Sequence, residues 1–193
     1  WMLKMQNEEG GVYHKVTCKN FPGTVMPEEE TEQLYLSPVS NAATGDFAAV
    51  MAMASRVYKE VDADYAGKCL AAAEKALEYL EANPDAEGFK NPDDVVTGEY
   101  PDAKWNDEHF WALAELYKAT GDAKYGDKLK EFNTLSLAAG LGWEGVGFYG
   151  MNTYLSCENT DAALVKEIEG IFEHNVKVMN ENKNADAYDS TLG

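Results

Sequence analysis

Hydrophobic residues recur at spacings of three and four through most of the chain after residue 43, which predicts a largely helical protein. The stripes are formed by Phe47, Val50, Met51, Ala54, Val57, Tyr58 and Val61; by Leu70, Ala73, Leu77 and Leu80; by Phe110, Leu113, Ala114 and Tyr117; and by Ala163, Val165, Ile168, Ile171, Phe172, Val176 and Met179. Short polar turns separate consecutive stripes, so we expect antiparallel helical hairpins.

The turns between the stripes define the predicted hairpins. Asp62-Ala63-Asp64 separates the first two helices, and Asn83-Pro84 closes that hairpin. A second hairpin is predicted from helices over 107–119, capped by Asn106 or Asp107, and 123–137, joined by Thr120-Gly121-Asp122. A Gly-rich connection over 141–150 then leads to a third pair, with a helix over 151–156 and the last stripe.

The first 42 residues follow a different pattern. Residues 1–6 resemble the last turns of an apolar helix that began earlier, and residues 7–42 are rich in Gly, Pro, Glu and Thr. Short strand-like pieces lie at 12–17 and 34–36. An ordered loop of this length is uncommon in a compact domain and is usually functional, although a solvated connector is the alternative.

The hairpins also repeat in sequence. Tyr58-Lys59 with Asp62-Ala63-Asp64-Tyr65 recurs as Tyr117-Lys118 with Asp122-Ala123-Lys124-Tyr125, and Tyr154 with Asp161-Ala162 resembles a weaker third copy. The aspartates at these turns are predicted to be helix N-caps. Repeated hairpins build either an open solenoid or a closed toroid, and the long aromatic-rich connections favour the toroid.

Composition narrows the class of partner. The chain has 193 residues, 45% of them hydrophobic, which is enough for one good core. The net charge of −18 argues against a nucleic-acid partner, because phosphates would be repelled, whereas neutral sugars remain compatible. The apolar runs at 48–54 and 135–141 are too short to cross a bilayer. Cys18, Cys69 and Cys157 have no paired spacing and are expected to be free thiols.

Four segments, in this order along nearly the whole chain, resemble glycoside hydrolase family 9, the inverting cellulases. They are His14-Lys15-Val16-Thr17; Val25-Met26-Pro27-Glu28; the run PVSNAATGDFAAVMA at 38–52; and Asp107-Glu108 with Trp111-Ala112 and ELYKATGD at 115–122. The resemblance implies an all-α (α/α)6 toroid of helical hairpins, present here as roughly half a toroid, whose cleft binds and hydrolyses a β-1,4-glucan such as cellulose.

The resemblance also implies what the chain lacks. Inverting hydrolysis needs a general acid and a general base, roughly 6.5–9.5 Å apart. In the family the base motif lies before the segment matched by residues 1–6, and the acid lies after the run matched by 188–193. We therefore interpret residues 1–193 as a fragment of one catalytic domain, with a helix end and cleft loop over 1–42 and hairpins over 43–193. We expect it to be inactive alone, with no catalytic residue of its own.

Substrate contacts are still expected within this fragment. Sugar rings stack on aromatic side chains and hydrogen-bond to carboxylates, so the candidates are His14, Asp102, Trp105, Trp143 and Tyr149. For Trp105 and Trp143, a sugar platform and a core position are equally compatible with the sequence.

The resemblance further implies calcium near the acidic start of the helix at Asp107 and Glu108, since carboxylate oxygens suit that ion. Acids in a first helical turn are also favoured by the helix dipole alone. No organic cofactor is expected. Trp111 is predicted to lie in the core, and His109 and His174 are predicted to be solvated.

Two other classes of protein remain as alternatives. Another α/α-toroid enzyme, such as an epimerase or lyase, would need His and Arg or Tyr at its cleft, but the chain has three His and only Arg56. A non-enzymatic helical repeat would have short loops and no cleft aromatics. The parent of a cellulase fragment is expected to be secreted, and half a toroid is expected to expose an apolar face and self-associate.

Overall fold

The structure, a computed structural model, describes residues 1–138, 142–185 and 187–191. Its α-helices are α1 (Asn41–Tyr58), α2 (Ala63–Ala82), α3 (Asn106–Thr120), α4 (Ala123–Leu129), α5 (Gly147–Leu155) and α6 (Ala162–Ala185). Four two-residue strands precede them: β1 (Val12–Tyr13), β2 (Val16–Thr17), β3 (Tyr35–Leu36) and β4 (Val39–Ser40). Met2–Met5, Pro27–Glu29 and Thr134–Leu137 are 3₁₀ turns.

The helices form two layers. In one layer α3 packs between α1 and α5, and in the other α2 packs on α1 and α4 on α3, while α6 contacts α5 and the 3₁₀ turn at Thr134–Leu137. Each odd-numbered helix thus forms an antiparallel hairpin with the helix that follows it. The prediction of three consecutive helical hairpins is confirmed. None of the helices in the described ranges is long and apolar enough to span a membrane.

The shared helix layer is packed closely through small residues. A Cβ built on Gly150 of α5 would lie 2.7 Å from Cδ1 of Phe110 and 2.9 Å from the backbone Cα of Trp111, so only glycine fits this contact. Phe110, Leu113 and Leu116 are fully buried, together with several alanines of α1 and α2. Burial of each such large side chain contributes on the order of 1.5–3 kcal/mol.

The predicted aspartate N-caps are confirmed. Oδ1 of Asp62 accepts the N–H of Tyr65 at 2.9 Å, and Oδ1 of Asp122 accepts that of Lys124 at 3.0 Å. Asp161, in the weaker third copy, accepts the N–H groups of Ala163 and Leu164 at the start of α6. Gly121 ends α3 with φ 69°, as its place in the turn predicted.

Several helix limits differ from the prediction. The N-cap of α3 is Trp105 rather than the predicted Asn106 or Asp107, and no side chain caps the helix. The Asp107 carboxylate instead accepts the N–H of Val146. The helix predicted over 123–137 ends at Leu129, and α5 begins four residues before the predicted start at 151. The Gly-rich connection predicted over 141–150 begins at a residue that lies outside the described residues. Residues 192 and 193, the end of the run at 188–193, also lie outside them.

Two apolar stripes are only partly buried. Val57, Tyr58 and Val61 are 65%, 42% and 80% exposed, because α1 ends at Tyr58 and this end lies beyond the described core. Val176 and Met179 of α6 are likewise exposed. The stripes predicted helices correctly but overstated how much of each face is covered in this chain.

The N-terminal loop is ordered by pairing its two ends. Strand β1 pairs antiparallel with β4, and β2 pairs antiparallel with β3. The strand-like pieces at 12–17 and 34–36 are therefore confirmed, while β4 was not predicted. Residues 1–6 contain the short 3₁₀ turn Met2–Met5, with Met5 buried, in place of the expected end of an α-helix.

A polar network lies inside the helical layer. Glu115 of α3 is 1% exposed, and its carboxylate accepts hydrogen bonds from Arg56 of α1, from Nε1 of Trp111 at 3.4 Å and from Oγ1 of Thr153 of α5 at 2.6 Å. Glu115 therefore links α1, α3 and α5. A buried carboxylate is tolerated only with such partners.

Replacing Glu115 should reveal the strength of this network. We expect Glu115→Ala to lower the free energy of unfolding by about 3–5 kcal/mol, because it leaves Arg56 and the buried donors without their acceptor. Urea unfolding followed by circular dichroism measures this. Glu181→Ala, which removes an exposed ion pair with Lys177 on α6, is the control and should cost at most about 0.5 kcal/mol. Equal losses in the two variants would contradict the role of the network.

Candidate functional site

The largest concentration of predicted site residues lines a cavity of about 410 Å³ between the N-terminal loop and the N-terminal ends of α1 and α3. The lining residues are His14, Lys15, Val16, Thr17, Phe21, Ala42, Ala43, Asp46, Thr97, Gly98, Tyr100, Asp102, Glu108 and Trp143. We call this cavity the cleft. It is built from four separate parts of the chain, so its shape depends on how the loops are fastened to the helices.

His14 contacts two other segments of the chain. Its ring stacks on Phe89 with centroids 3.8 Å apart, and its Nδ1 lies 2.8 Å from Oγ of Ser40. Because Oγ of Ser40 also accepts the N–H of Ala43 at the start of α1, its own hydrogen is free to be donated to Nδ1 of a neutral imidazole. Burial lowers the pKa of His14, against a smaller raising effect from the backbone of Glu99. The geometry and the pKa both favour neutral His14.

A row of polar contacts fastens the loop at 15–19 to the loop at 94–98. Nζ of Lys15 donates to the carbonyl of Gly98, and the hydroxyls of Thr17 and Thr97 are 2.8 Å apart. Lys19 forms an ion pair with Asp94 at 2.5 Å. Burial also lowers the pKa of Lys15. These contacts make one continuous wall of the cleft from two loops that are some 80 residues apart in sequence.

Three acids face the cleft from the opposite side. Asp46 lies on α1, Asp102 in the loop before α3, and Glu108 in the first turn of α3. One oxygen of Asp46, one of Asp102 and both of Glu108 are buried without a hydrogen-bond partner in the described part of the chain. Buried polar atoms are normally satisfied, so this cluster is suited to bind hydroxyl donors or a cation.

Burial and mutual repulsion perturb two of these acids strongly. Burial, followed by the charges of Asp107 and Asp102, raises the pKa of Glu108 to about 10. The same causes raise the pKa of Asp46 to about 7. Perturbed acids grouped in a cleft are typical of functional sites.

Aromatic side chains form the open rim. Trp143 is 58% exposed and makes an edge-to-face contact with Tyr100, with ring centroids 5.6 Å apart. Tyr100 has φ 53°, an uncommon backbone conformation for a residue other than glycine. Phe21 is 67% exposed at the rim. Aromatic faces above buried acids provide both kinds of contact that a sugar ring uses.

The five predicted substrate-binding residues divide into two groups. His14, Asp102 and Trp143 line the cleft together. Trp105 packs beside His109 at 5.8 Å between ring centroids, and the half-exposed Tyr149 packs beside Trp111 at 5.3 Å, and both lie outside the cleft lining. Contact of any of the five with substrate stays a prediction.

The predicted calcium ligands line different cavities. Glu108 faces the cleft, whereas Asp107 lines an adjacent cavity of about 410 Å³ with Asp102 and Glu144. Asp102 borders both cavities. Across the described ranges, no group of three or more His, Cys, Asp or Glu side chains is placed to hold a metal by itself, so calcium here would also need backbone or water oxygens.

Other sequence predictions can be placed directly. Trp111 is a core residue at 8% exposure, as predicted, and His174 is exposed. The prediction of a solvated His109 was wrong, because its side chain packs against Phe132 and beside Glu81 and is only 17% exposed. All three cysteines are free. Asp46 was missed, since a single acid within an amphipathic helix does not stand out in sequence.

Comparison with known proteins identifies the family. The sequence model described as Glycosyl hydrolase family 9 matches residues 1–191. The chain belongs to this family. Endoglucanase D of Acetivibrio thermocellus is 38% identical over 179 residues, covering 88% of this chain and 28% of that protein. A cellodextrinase of Butyrivibrio fibrisolvens is 46% identical over 131 residues, covering 68% and 24%.

Solved family 9 structures confirm the fold. The structure of AaCel9A in complex with cellobiose-like isofagomine matches with a TM-score of 0.92 and 34% identity, covering 98% of this chain and 36% of that one. The chain therefore has the helical-hairpin architecture of the family's (α/α)6 toroid, as a partial toroid. It spans only about a quarter to a third of the length of these relatives.

The neutral His14 of this family 9 chain should make its stability sensitive to acid. Because the pKa of His14 is lowered in the folded chain, neutral His14 contributes its full stabilising free energy above its ordinary pKa near 6.5. This contribution is lost as the pH falls through the lower folded-state pKa. We expect the unmutated chain to lose more of its free energy of unfolding than His14→Gln between about pH 7.5 and about pH 5, measured by urea unfolding. His174→Gln, on exposed α6, should follow the parent. Parallel curves for the parent and His14→Gln would refute this.

Proposed function

We propose that this chain forms part of the substrate cleft of an inverting β-1,4-glucan hydrolase, and that it binds the glucan without cleaving it. The observation that carries this proposal is the cleft itself, where exposed Trp143 stands above the unpartnered carboxyl oxygens of Asp46, Asp102 and Glu108. An aromatic face and hydrogen-bond acceptors together suit a chain of neutral sugar rings. The family membership supports a β-glucan as the substrate class.

The acids of the cleft are better suited to holding the sugar chain than to cutting it. Glu108 is 1% exposed and Asp102 is 5% exposed, so each can present only the edge of its carboxyl group to a sugar hydroxyl in the cleft. The motifs that would carry the family's acid and base were not found in these residues. Activity of the parent enzyme therefore requires residues outside this chain.

Binding and turnover should separate in this chain. We expect isothermal titration with cellotetraose to detect binding, and Trp143→Ala to weaken it about tenfold, because a sugar face would lose its apolar platform. Leu135→Ala is the control, since Leu135 is also well exposed but lies outside the cleft, and the affinity of this variant should equal that of the unmutated chain. No reducing sugar should be released from soluble β-glucan. Turnover that is abolished by Asp46→Asn would overturn the assignment of catalysis to residues elsewhere.

We propose that calcium binds at the N-terminal end of α3, held by Asp107 and Glu108. The support is the donor chemistry: Glu108 has two buried carboxyl oxygens without a partner and Asp107 precedes it in the same helical turn, and because the two side chains line different cavities, backbone or water oxygens would have to complete the ligand set. Bound calcium would fasten the start of α3 to the loops on either side of it.

Calcium should raise the melting temperature of the unmutated chain. A concentration one hundred times the dissociation constant would stabilise the folded state by about 2.7 kcal/mol. Asp107→Asn should abolish this shift, measured by differential scanning calorimetry with calcium and with EDTA, while the exposed variant Glu181→Gln should retain it. Equal melting temperatures of the unmutated chain in calcium and in EDTA would exclude the site.

We also propose that the chain self-associates through its uncovered apolar faces. Val57, Tyr58 and Val61 at the end of α1, and Val176 and Met179 on α6, are exposed side chains that water solvates poorly.

The parent enzyme is proposed to be secreted, because an insoluble glucan polymer can be reached only outside the cell.

A further inference from the structure

A second large cavity lies on the other side of α3 from the cleft. It has a volume of about 540 Å³, within the range of small-molecule sites, and is formed by the end of α2, the start of α3 and the segment that follows α4. We call it the outer cavity. Its lining shares no residue with the cleft, although it shares Asn106, Ser136 and Leu137 with the cavity that Asp107 lines.

The polar groups of the outer cavity are arranged around Glu81. Its Oε1 lies 2.5 Å from Nζ of Lys128 and 3.7 Å from Nε2 of His109. Nε2 of His109 is buried and has no hydrogen-bond partner in the described part of the chain. The imidazole itself is held by an edge-to-face contact with Phe132, with ring centroids 5.3 Å apart. The ring nitrogen is therefore held in a fixed position at the cavity with no partner in the described fold.

The charges of the lining exclude several ligand classes. Glu81 and Glu131 outnumber Lys128, so an anion would be repelled. The ammonium of Lys128 already pairs with the Glu81 carboxylate, which disfavours a second cation there. Few of the lining residues are apolar, so a purely hydrophobic ligand would leave polar groups desolvated.

A neutral polyhydroxy ring satisfies all of these conditions. Its hydroxyl groups can donate to Glu131 and His109 and accept from Lys128 and Asn133, while Phe132 offers an apolar edge. We propose that the outer cavity is a second saccharide site, which binds a pyranose ring independently of the cleft. This assignment does not require the cleft to bind glucan, because the two cavities share no side chain.

Two-dimensional NMR of the full 193-residue chain can test this. During a titration with cellobiose, we expect saturable shifts of the His109 imidazole and the Asn133 side-chain amide. Glycerol, a small polyol without a ring, should produce no saturation at the same concentrations. Lys128→Ala, at a solvent-accessible position that should not affect folding, is expected to weaken the outer site about fivefold through loss of one charged hydrogen bond. His109→Phe, which keeps the ring contact with Phe132, should weaken it at least as much.

The cleft variant Trp143→Ala separates the two sites. The shifts at His109 and Asn133 should be unchanged in it, whether or not the cleft itself binds sugar. Loss of those shifts in Trp143→Ala would mean that they report the cleft, and would overturn the proposal. Absence of any saturable shift at His109 and Asn133 in the unmutated chain would also overturn it, as would an affinity in both Lys128→Ala and His109→Phe equal to that of the unmutated chain.

Discussion

Helix α3 is packed against neighbours on almost every side, and it nevertheless carries three acids, Asp107, Glu108 and Glu115. A buried carboxylate is costly unless it is hydrogen-bonded or neutralised, so each acid imposes a requirement on the residues around it. Glu115 is satisfied within the fold, by Arg56 and by donors from α3 and α5. Asp107 is partly satisfied by the backbone of Val146.

Glu108 is the acid for which the described fold supplies no partner. Its carboxyl group is buried beside Asp46 and Asp102, and burial, followed by the charges of Asp107 and Asp102, raises the pKa values of Glu108 and Asp46. A site of this kind reduces the stability of the unliganded protein. Binding of a hydroxyl donor or a cation at the site stabilises the protein. The same helix thus stabilises the fold at Glu115 and carries unpartnered carboxyl oxygens at Glu108, about two turns earlier.

The opposite wall of the cleft depends on contacts between loops that are distant in sequence. The stack of His14 on Phe89, the paired hydroxyls of Thr17 and Thr97, and the ion pair of Lys19 with Asp94 give two irregular segments a defined position. Loops are usually the least rigid part of a binding site. Here side-chain contacts replace the regular hydrogen bonding that a longer sheet would provide.

The sequence by itself determined the hairpins, the aspartate caps and the family, because periodic hydrophobicity, turn chemistry and residue motifs are local properties. It also singled out His14, Asp102 and Trp143, which the cleft brings together. Only the tertiary structure decided that Trp105 and Tyr149 lie outside that cleft, that His109 is mostly covered, and that Asp46 and Glu108 line the cleft together. Those outcomes depend on which helix faces meet and how the loops cross them. A pattern that repeats along one helix cannot specify the neighbour opposite each position.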